Sequence, residues 1–208
     1  MEFQPLKYIY KASPEGGAYT LLLLHGTGGS ETDLIPLAQN LGGKYNLLSV
    51  RGNVTENGMP RFFKRLGMGI FDEDDLRFRT DELAGFVKEL ASVEGFDAAK
   101  IIALGFSNGA NIAGAALVQH PGLFAGAILY RPMQPYKLMN FGINARHIPV
   151  FFSSGKMDPT VSTADTENYL ATLERLGFKV AFHNFNTGHN LVQDDVELAA
   201  QWLQENFN

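Results

Sequence analysis

The stretch Ile101-Ile102-Ala103-Leu104-Gly105-Phe106-Ser107-Asn108-Gly109-Ala110 leaves this chain few options. It opens as an apolar, β-branched run of strand type and closes in small residues suited to a helix. Between them lies a G-x-S-x-G pattern. In that device a strand reverses so sharply into a helix that the serine is held in strained backbone geometry, its hydroxyl clear of the sheet. The flanking glycines are a steric requirement, because a Cβ at either would meet the neighbouring strand or helix. The strand before and the Ala/Gly-rich stretch after give weight to a pattern that is weak alone.

The rest of the chain repeats the strand-helix rhythm. Lys7–Lys11 reads as a first strand, closed by Ser13-Pro14-Glu15-Gly16-Gly17. Tyr19–Leu24 is apolar throughout, the mark of a strand covered on both faces, and stops at His25-Gly26-Thr27-Gly28-Gly29-Ser30. Ser30 and Asp33, spaced as a loose capping box, predict a helix through Leu34, Leu37 and Ala38 to Leu41. Tyr45–Val50 is the next strand. Thr80, with Asp81 and Glu82 behind it, predicts a helix start; Leu83, Phe86, Val87 and Leu90 then fall on one face. After the elbow helix, Phe124–Tyr130, Ile148–Phe152 and Phe178–Phe185 read as strands. Helices are expected from Ser162 to Gly177 and after Gly188-His189. Strands that alternate with helices and are mostly apolar end to end predict a mostly parallel central sheet with helices on both faces. The expectation is a single α/β domain over residues 1–208.

Residues 54–79 break the rhythm. They mix Met59, Phe62, Phe63, Met68, Ile70 and Phe71 with Arg61, Lys64, Arg65 and the acidic run Asp72-Glu73-Asp74-Asp75, and no single period runs through them. An insertion of this kind within a compact domain suggests a functional segment. It is expected to cover the mouth of the site, with Phe62, Phe63, Met68, Ile70 and Phe71 walling a small apolar pocket while Arg61, Arg65 and the acidic run stay in water.

Composition narrows the function. The 208 residues are 45% apolar with a net charge of −5, spread without long blocks of one sign, so nucleic acid is not an expected partner. No apolar run nears the roughly 20 residues of a membrane span. With no cysteine, disulfides and thiolate metal sites are excluded. The start, Met1-Glu2-Phe3-Gln4-Pro5, has neither the basic nor the apolar region of a secretory leader, so the expected location is cytoplasmic. No metal pattern occurs, and Glu31 stands where a dinucleotide fingerprint needs its third glycine, so no cofactor is expected.

Ligands of open α/β sheets bind beyond the carboxyl ends of the strands. At those ends stand the Gly-rich loop with Thr27, then Ser107, Asp158 and His189, the last three in the order nucleophile, acid, histidine. A serine hydroxyl needs an adjacent base, an imidazole supplies one, and a carboxylate fixes the imidazole tautomer. The attacked carbonyl needs preorganised donors, for which the backbone N–H groups of Thr27 and Asn108 are the candidates. His25, in its Gly-rich loop, reads as a structural hydrogen bonder. His120, His147 and His183 read as structural or exposed, and Asp194 and Asp195 as acids favouring the N-terminus of the last helix.

His25-Gly26-x-Gly28, Gly105-Phe106-Ser107-x-Gly109, Gly155-x-x-Asp158-Pro159-x-Val161 and Gly188-His189 resemble the carboxylesterase/phospholipase group of α/β-hydrolases, which includes the acyl-protein thioesterases. More narrowly, Arg51-Gly52-Asn53, Met59-Pro60-Arg61-Phe62-Phe63 and Phe71-Asp72-Glu73-Asp74-Asp75-Leu76 resemble small bacterial carboxylesterases of the hydroquinone-associated type. The resemblance implies Ser107 as nucleophile, Asp158 as acid, His189 as base, and Thr27 and Asn108 as oxyanion donors. Acyl-protein thioesterases usually carry Gln after the nucleophile, where this chain has Asn108, and the charged 54–79 stretch replaces their apolar acyl channel. The expected activity is cofactor-free hydrolysis of small soluble esters or thioesters through an acyl-enzyme. Two other readings stay open at this point: an acyl-protein thioesterase or lysophospholipase on the same residues, and a hydrolase-fold protein that binds ligand without turnover.

Overall fold

The computed structural model describes residues 2–139, 142, 145 and 147–207. Their organising element is a sheet of seven strands: β1 (Tyr8–Lys11), β2 (Thr20–Leu24), β3 (Asn46–Val50), β8 (Ile101–Phe106), β9 (Gly126–Tyr130), β10 (Pro149–Gly155) and β11 (Lys179–Phe185). Between β3 and β8 lie four short strands, β4 (Val54–Glu56), β5 (Met59–Arg61), β6 (Arg65–Gly67) and β7 (Ile70–Phe71). The helices are α1 (Ile35–Gln39), α2 (Glu73–Glu94), α3 (Asn108–Gln119), α4 (Thr163–Arg175) and α5 (Gln193–Asn206). Strand order in the main sheet is β1-β3-β2-β8-β9-β10-β11. Only β1 runs antiparallel, against β3.

Alternation along the strands divides the core into two layers, because successive side chains point to opposite faces. Leu22, Leu24, Ala103, Leu129 and Phe152 pack with residues of α2, α3 and α4. Leu21, Leu23, Ile102, Leu104, Ile128 and Phe151 pack with α1 and with Ala199, Trp202 and Leu203 of α5. Strands buried on both sides read as continuous apolar runs. α3 can lie close against the sheet because its inner face is small: Ala110, Ala113 and Ala116 have no exposed surface.

Three expectations are corrected. Residues 54–79 are not irregular: β4 pairs with β5 and β6 with β7 as two antiparallel hairpins, followed by the first turns of α2. The first hairpin turns at Asn57-Gly58, both with positive φ (50° and 79°), the geometry that Asn-Gly supplies readily. Second, α2 starts at Glu73 and not at Thr80. Asp72 is its cap, accepting from the Asp75 N–H at 3.1 Å, and Glu73, Asp74 and Asp75 sit in the first turn, where the helix dipole favours acids. Thr80 is buried inside the helix and returns its hydroxyl to the Leu76 carbonyl at 2.7 Å. Third, α1 begins later than Ser30. The Ser30 hydroxyl donates to Asp33 Oδ1 at 2.7 Å in a preceding turn, and the helix follows from Ile35.

Candidate active site

β2, β8, β9, β10 and β11 are parallel, so their carboxyl ends share one edge of the sheet. At that edge the β8–α3 turn puts Ser107 at φ 52° and ψ −113°, a strained conformation for a residue with a side chain. The strain is forced by close approach. A Cβ on Gly109 would overlap the Leu24 carbonyl, and one on Gly105 would run into the backbone of Gly109 and Ala110. The Ser107 N–H donates to the Tyr130 carbonyl at 2.9 Å, which anchors the turn to the next strand.

The loops after β10 and β11 deliver the other two groups. They are joined at their base: Lys156 N–H donates to the Phe185 carbonyl at 2.8 Å and Met157 N–H to the Thr187 carbonyl at 3.0 Å. His189 Nε2 lies 2.9 Å from Ser107 Oγ, and His189 Nδ1 lies 2.6 Å from Asp158 Oδ2. With its Nδ1–H donating a hydrogen bond to the carboxylate, the neutral ring leaves Nε2 free to accept from the serine hydroxyl. The Asp158 side chain is 2% exposed against 27% for His189, so the carboxylate sits behind the ring. Burial alone would raise the Asp158 pKa; hydrogen bonds from Thr160 and His189 outweigh it and hold the group below its ordinary value.

Ser107, Asn108, Thr27 and His189 line one small cleft of about 100 Å³. Asn108 is the first residue of α3. Among the described residues no other group takes up the N–H of Asn108 or of Thr27. The Gly-rich loop is held in place by the first hairpin, whose Pro60 carbonyl accepts from the Gly28 N–H at 2.9 Å. The Asn108 side chain turns the other way, and its Oδ1 accepts from the buried Phe62 N–H at 2.8 Å. His25 is buried and structural: Nδ1 donates to the Gly26 carbonyl at 2.6 Å and Nε2 accepts from Gly52 N–H at 3.1 Å. Desolvation lowers its pKa, which keeps it neutral.

The pocket expectation is revised. Phe62 and Phe63 belong to the core, with 2% and 0% exposure, and do not reach the cleft. Met68 and Phe71 do line it, while Ile70 faces an adjoining groove with Glu73 and Lys137. Arg61 and Arg65, expected in water, are on the cleft wall, and Arg61 is only 3% exposed. Asp75 of the acidic run is buried as well and accepts from Lys64 N–H at 2.8 Å. Asp195 does more than favour a helix start: it caps the Val192 N–H at 2.9 Å and binds Arg131 in the interior.

Sequence reasoning missed Thr160. Its hydroxyl donates to Asp158 Oδ1 at 2.6 Å and lies 2.9 Å from His189 Nδ1, so it touches both partners. Its backbone N–H also donates to Asp158 Oδ1, at 2.8 Å. The signal was the spacing: an aspartate two residues before a threonine is a turn in which the carboxylate takes the later N–H.

A seven-stranded, mostly parallel sheet, a strained serine at a strand-to-helix turn, and a histidine and carboxylate on later strand ends define an α/β-hydrolase. The chain belongs to the phospholipase/carboxylesterase family, whose model matches residues 11–207. MhqD of Bacillus subtilis (strain 168) is 42% identical over 200 residues, covering 96% of this chain and 98% of the relative. The crystal structure of a Bacillus cereus carboxylesterase is 44% identical with a TM-score of 0.94, over 97% of this chain and 95% of that one. A structure of YahD with malic acid is 32% identical with a TM-score of 0.91, over 97% and 99%.

Proposed function

We propose that this ester-hydrolysing enzyme is a serine carboxylesterase that turns over small esters through an acyl-enzyme. The carrying observation is the continuous hydrogen-bonded chain from Ser107 Oγ through His189 to Asp158, at 2.9 and 2.6 Å. In this reading His189 Nε2 takes the serine proton as Oγ attacks the ester carbonyl. Asp158 stabilises the imidazolium that forms and itself stays ionised. The N–H groups of Thr27 and Asn108 receive the oxyanion, each contributing about 3 kcal/mol to lowering the barrier. Collapse expels the alcohol, which takes the proton from His189. Water then repeats the attack on the acyl-Ser107 ester, gives its proton to His189, and releases the carboxylic acid with the proton returned to Ser107.

The hairpins favour a small substrate. Arg61, Arg65, Met68, Gly69 and Phe71 all stand on the cleft wall, and the cleft volume of about 100 Å³ suits a short acyl group. The relative YahD was solved with malic acid, a molecule of this size class. A long acyl chain needs a continuous apolar groove, and two guanidinium groups interrupt this one. That argues against the thioesterase and lysophospholipase readings.

A fluorophosphonate probe tests the proposal. It should label Ser107 alone, and Ser107→Ala should lose at least about a thousandfold in kcat, as nucleophile removal does in such enzymes. Labelling at another serine, or a near-normal rate in the variant, would refute it. Retained ligand binding with no labelling and no turnover would favour the non-catalytic binder. As to location, no helix among the described residues is long and apolar enough to cross a membrane; we place the enzyme in the cytoplasm, as its lack of cysteine suggests.

A further inference from the structure

Among the described residues, the cleft beside Ser107 is lined by three arginines, Arg61, Arg65 and Arg131, and by no carboxylate. Arg131 is neutralised: it is fully buried and paired with Asp195 at 2.6 Å. Arg61 and Arg65 are not. They share one acid, Glu56, whose two oxygens lie 3.0 Å from Arg65 Nε while Oε2 lies 3.3 Å from Arg61 Nη1. Two cations against one carboxylate leave an excess positive charge on this wall. Asp158, the other acid nearby, is turned toward His189 and Thr160.

The placement of Arg61 is costly. Desolvation and repulsion from Arg65 both lower its pKa, opposed by Glu56, yet an arginine stays protonated at such a site. Its Nε donates to the Phe63 carbonyl at 3.2 Å and its Nη1 to Thr27 Oγ1 at 2.9 Å, on the loop that carries a candidate oxyanion donor. Among the described residues the Nη2 groups of Arg61 and Arg65 have no hydrogen-bond partner. Guanidinium donors with free N–H groups in a narrow cleft suit a planar carboxylate, and such charge-assisted bonds are roughly twice as strong as neutral ones.

We propose that the acyl group of the substrate ends in a carboxylate, so that the ester is a monoester of a small dicarboxylic acid, and that Arg61 and Arg65 bind that carboxylate. The inference rests on Ser107 as the nucleophile. The cleft confines the acyl part, while the alcohol leaves along the adjoining groove, which shares Gly69, Phe71 and Met133 with the cleft and is larger, about 290 Å³. Hydrolysis would then yield a free dicarboxylate and an alcohol, and the reaction that supplies the substrate must be an esterification or half-hydrolysis leaving one acid free.

The test compares kcat/KM for mono-p-nitrophenyl succinate and p-nitrophenyl butyrate, uncatalysed rates subtracted, in wild type, Arg65→Gln and Arg61→Gln. The wild type should prefer the succinate by more than tenfold, and the ratio should fall at least tenfold in either variant. Because the ratio is read, a general loss of activity does not mimic the effect. Arg65→Gln carries the test if the buried Arg61 variant fails to fold. Calorimetry of succinate with Ser107→Ala supplies a second reading that needs no turnover: binding should weaken at least tenfold when Arg65→Gln is added. Succinate binding with that dependence, in an enzyme that fails to label at Ser107, would sink the nucleophile and leave the anion site. A wild-type ratio near one, a ratio that survives both substitutions, succinate binding indifferent to Arg65, or a greater preference for 4-carboxyphenyl butyrate would overturn the proposal.

Discussion

Arg131 and Asp195 form a two-pronged ion pair with no exposed surface on either side chain, Nη1 to Oδ1 at 2.8 Å and Nη2 to Oδ2 at 2.6 Å. The same guanidinium donates to Ser153 Oγ at 2.6 Å and to the carbonyl of Asn190, beside His189, at 2.8 Å. Removing the charge of Asp195 strands a buried cation. Asp195→Asn should therefore cost about 3 kcal/mol of stability. Asp158→Asn should cost little stability but about four orders of magnitude in kcat, because the imidazole loses its tautomer. Urea unfolding and steady-state kinetics on the two variants separate them, and a larger kcat loss at Asp195 would reverse the assignment.

Thr160 is expected to act as a positioning residue. Thr160→Val removes a 2.6 Å bond to Asp158 and should raise the carboxylate's pKa toward its ordinary value, since that bond is among the causes holding it down. In the wild type the lowered pKa keeps Asp158 ionised, so it should not shape the pH profile near neutrality. The variant should lose about tenfold in kcat and show an added fall in rate on the acid side; Thr160→Ser should restore both. An unaltered acid limb would count against the role.

His25 gives a prediction for stability against pH. Its pKa is lowered in the folded state by desolvation, so the unfolded chain binds the proton more readily. The stabilising contribution is whole above the unfolded value of about 6.5 and is lost as pH falls toward the folded value. His183, also lowered by desolvation, adds in the same direction. Unfolding free energy should decline between pH 7 and pH 5, and His25→Asn should flatten part of that decline. A slope untouched by the substitution would mean the dependence lies elsewhere.

Acyl length is the remaining test of the cleft. Each methylene that finds apolar cover contributes about 0.8 kcal/mol, and the wall offers such cover at Met68, Phe71 and Met133, with Arg61 and Arg65 among them. On a neutral p-nitrophenyl series kcat/KM should peak at short acyl groups and then fall. Rates climbing steadily to decanoate would require a groove that this wall interrupts.

The sheet was legible because burial on both faces leaves a strand no polar position to confuse the reading, as in Leu21–Leu24. The site followed from the sheet, since parallel strands bring Ser107, Asp158 and His189 to one edge whatever their separation in sequence. Residues 54–79 resisted for a different reason. Strands of two or three residues are too short to show alternation, although Asn57-Gly58 marked the first turn. The run Asp72-Glu73-Asp74-Asp75 has the composition of a wet loop and also of a capped first turn. Nothing in the letters tells a core phenylalanine such as Phe63 from a pocket one such as Phe71. Nor does sequence show that Arg61, flanked by apolar residues, is drawn inward by Glu56, Thr27 and the Phe63 carbonyl.

Asn108 faces two ways at once, its main chain toward the cleft and its side chain toward the Phe62 N–H. The first hairpin and the nucleophile turn are thereby a single mechanical piece. A relative's hairpin grafted onto residues 54–71 to change substrate preference would carry its error straight to the candidate oxyanion donor unless it brought back a backbone N–H where Phe62 now offers one. Exchange of this segment should keep the rate only where the new N–H still meets the residue 108 side chain, so that diversification of substrate and retention of rate are inherited as a pair.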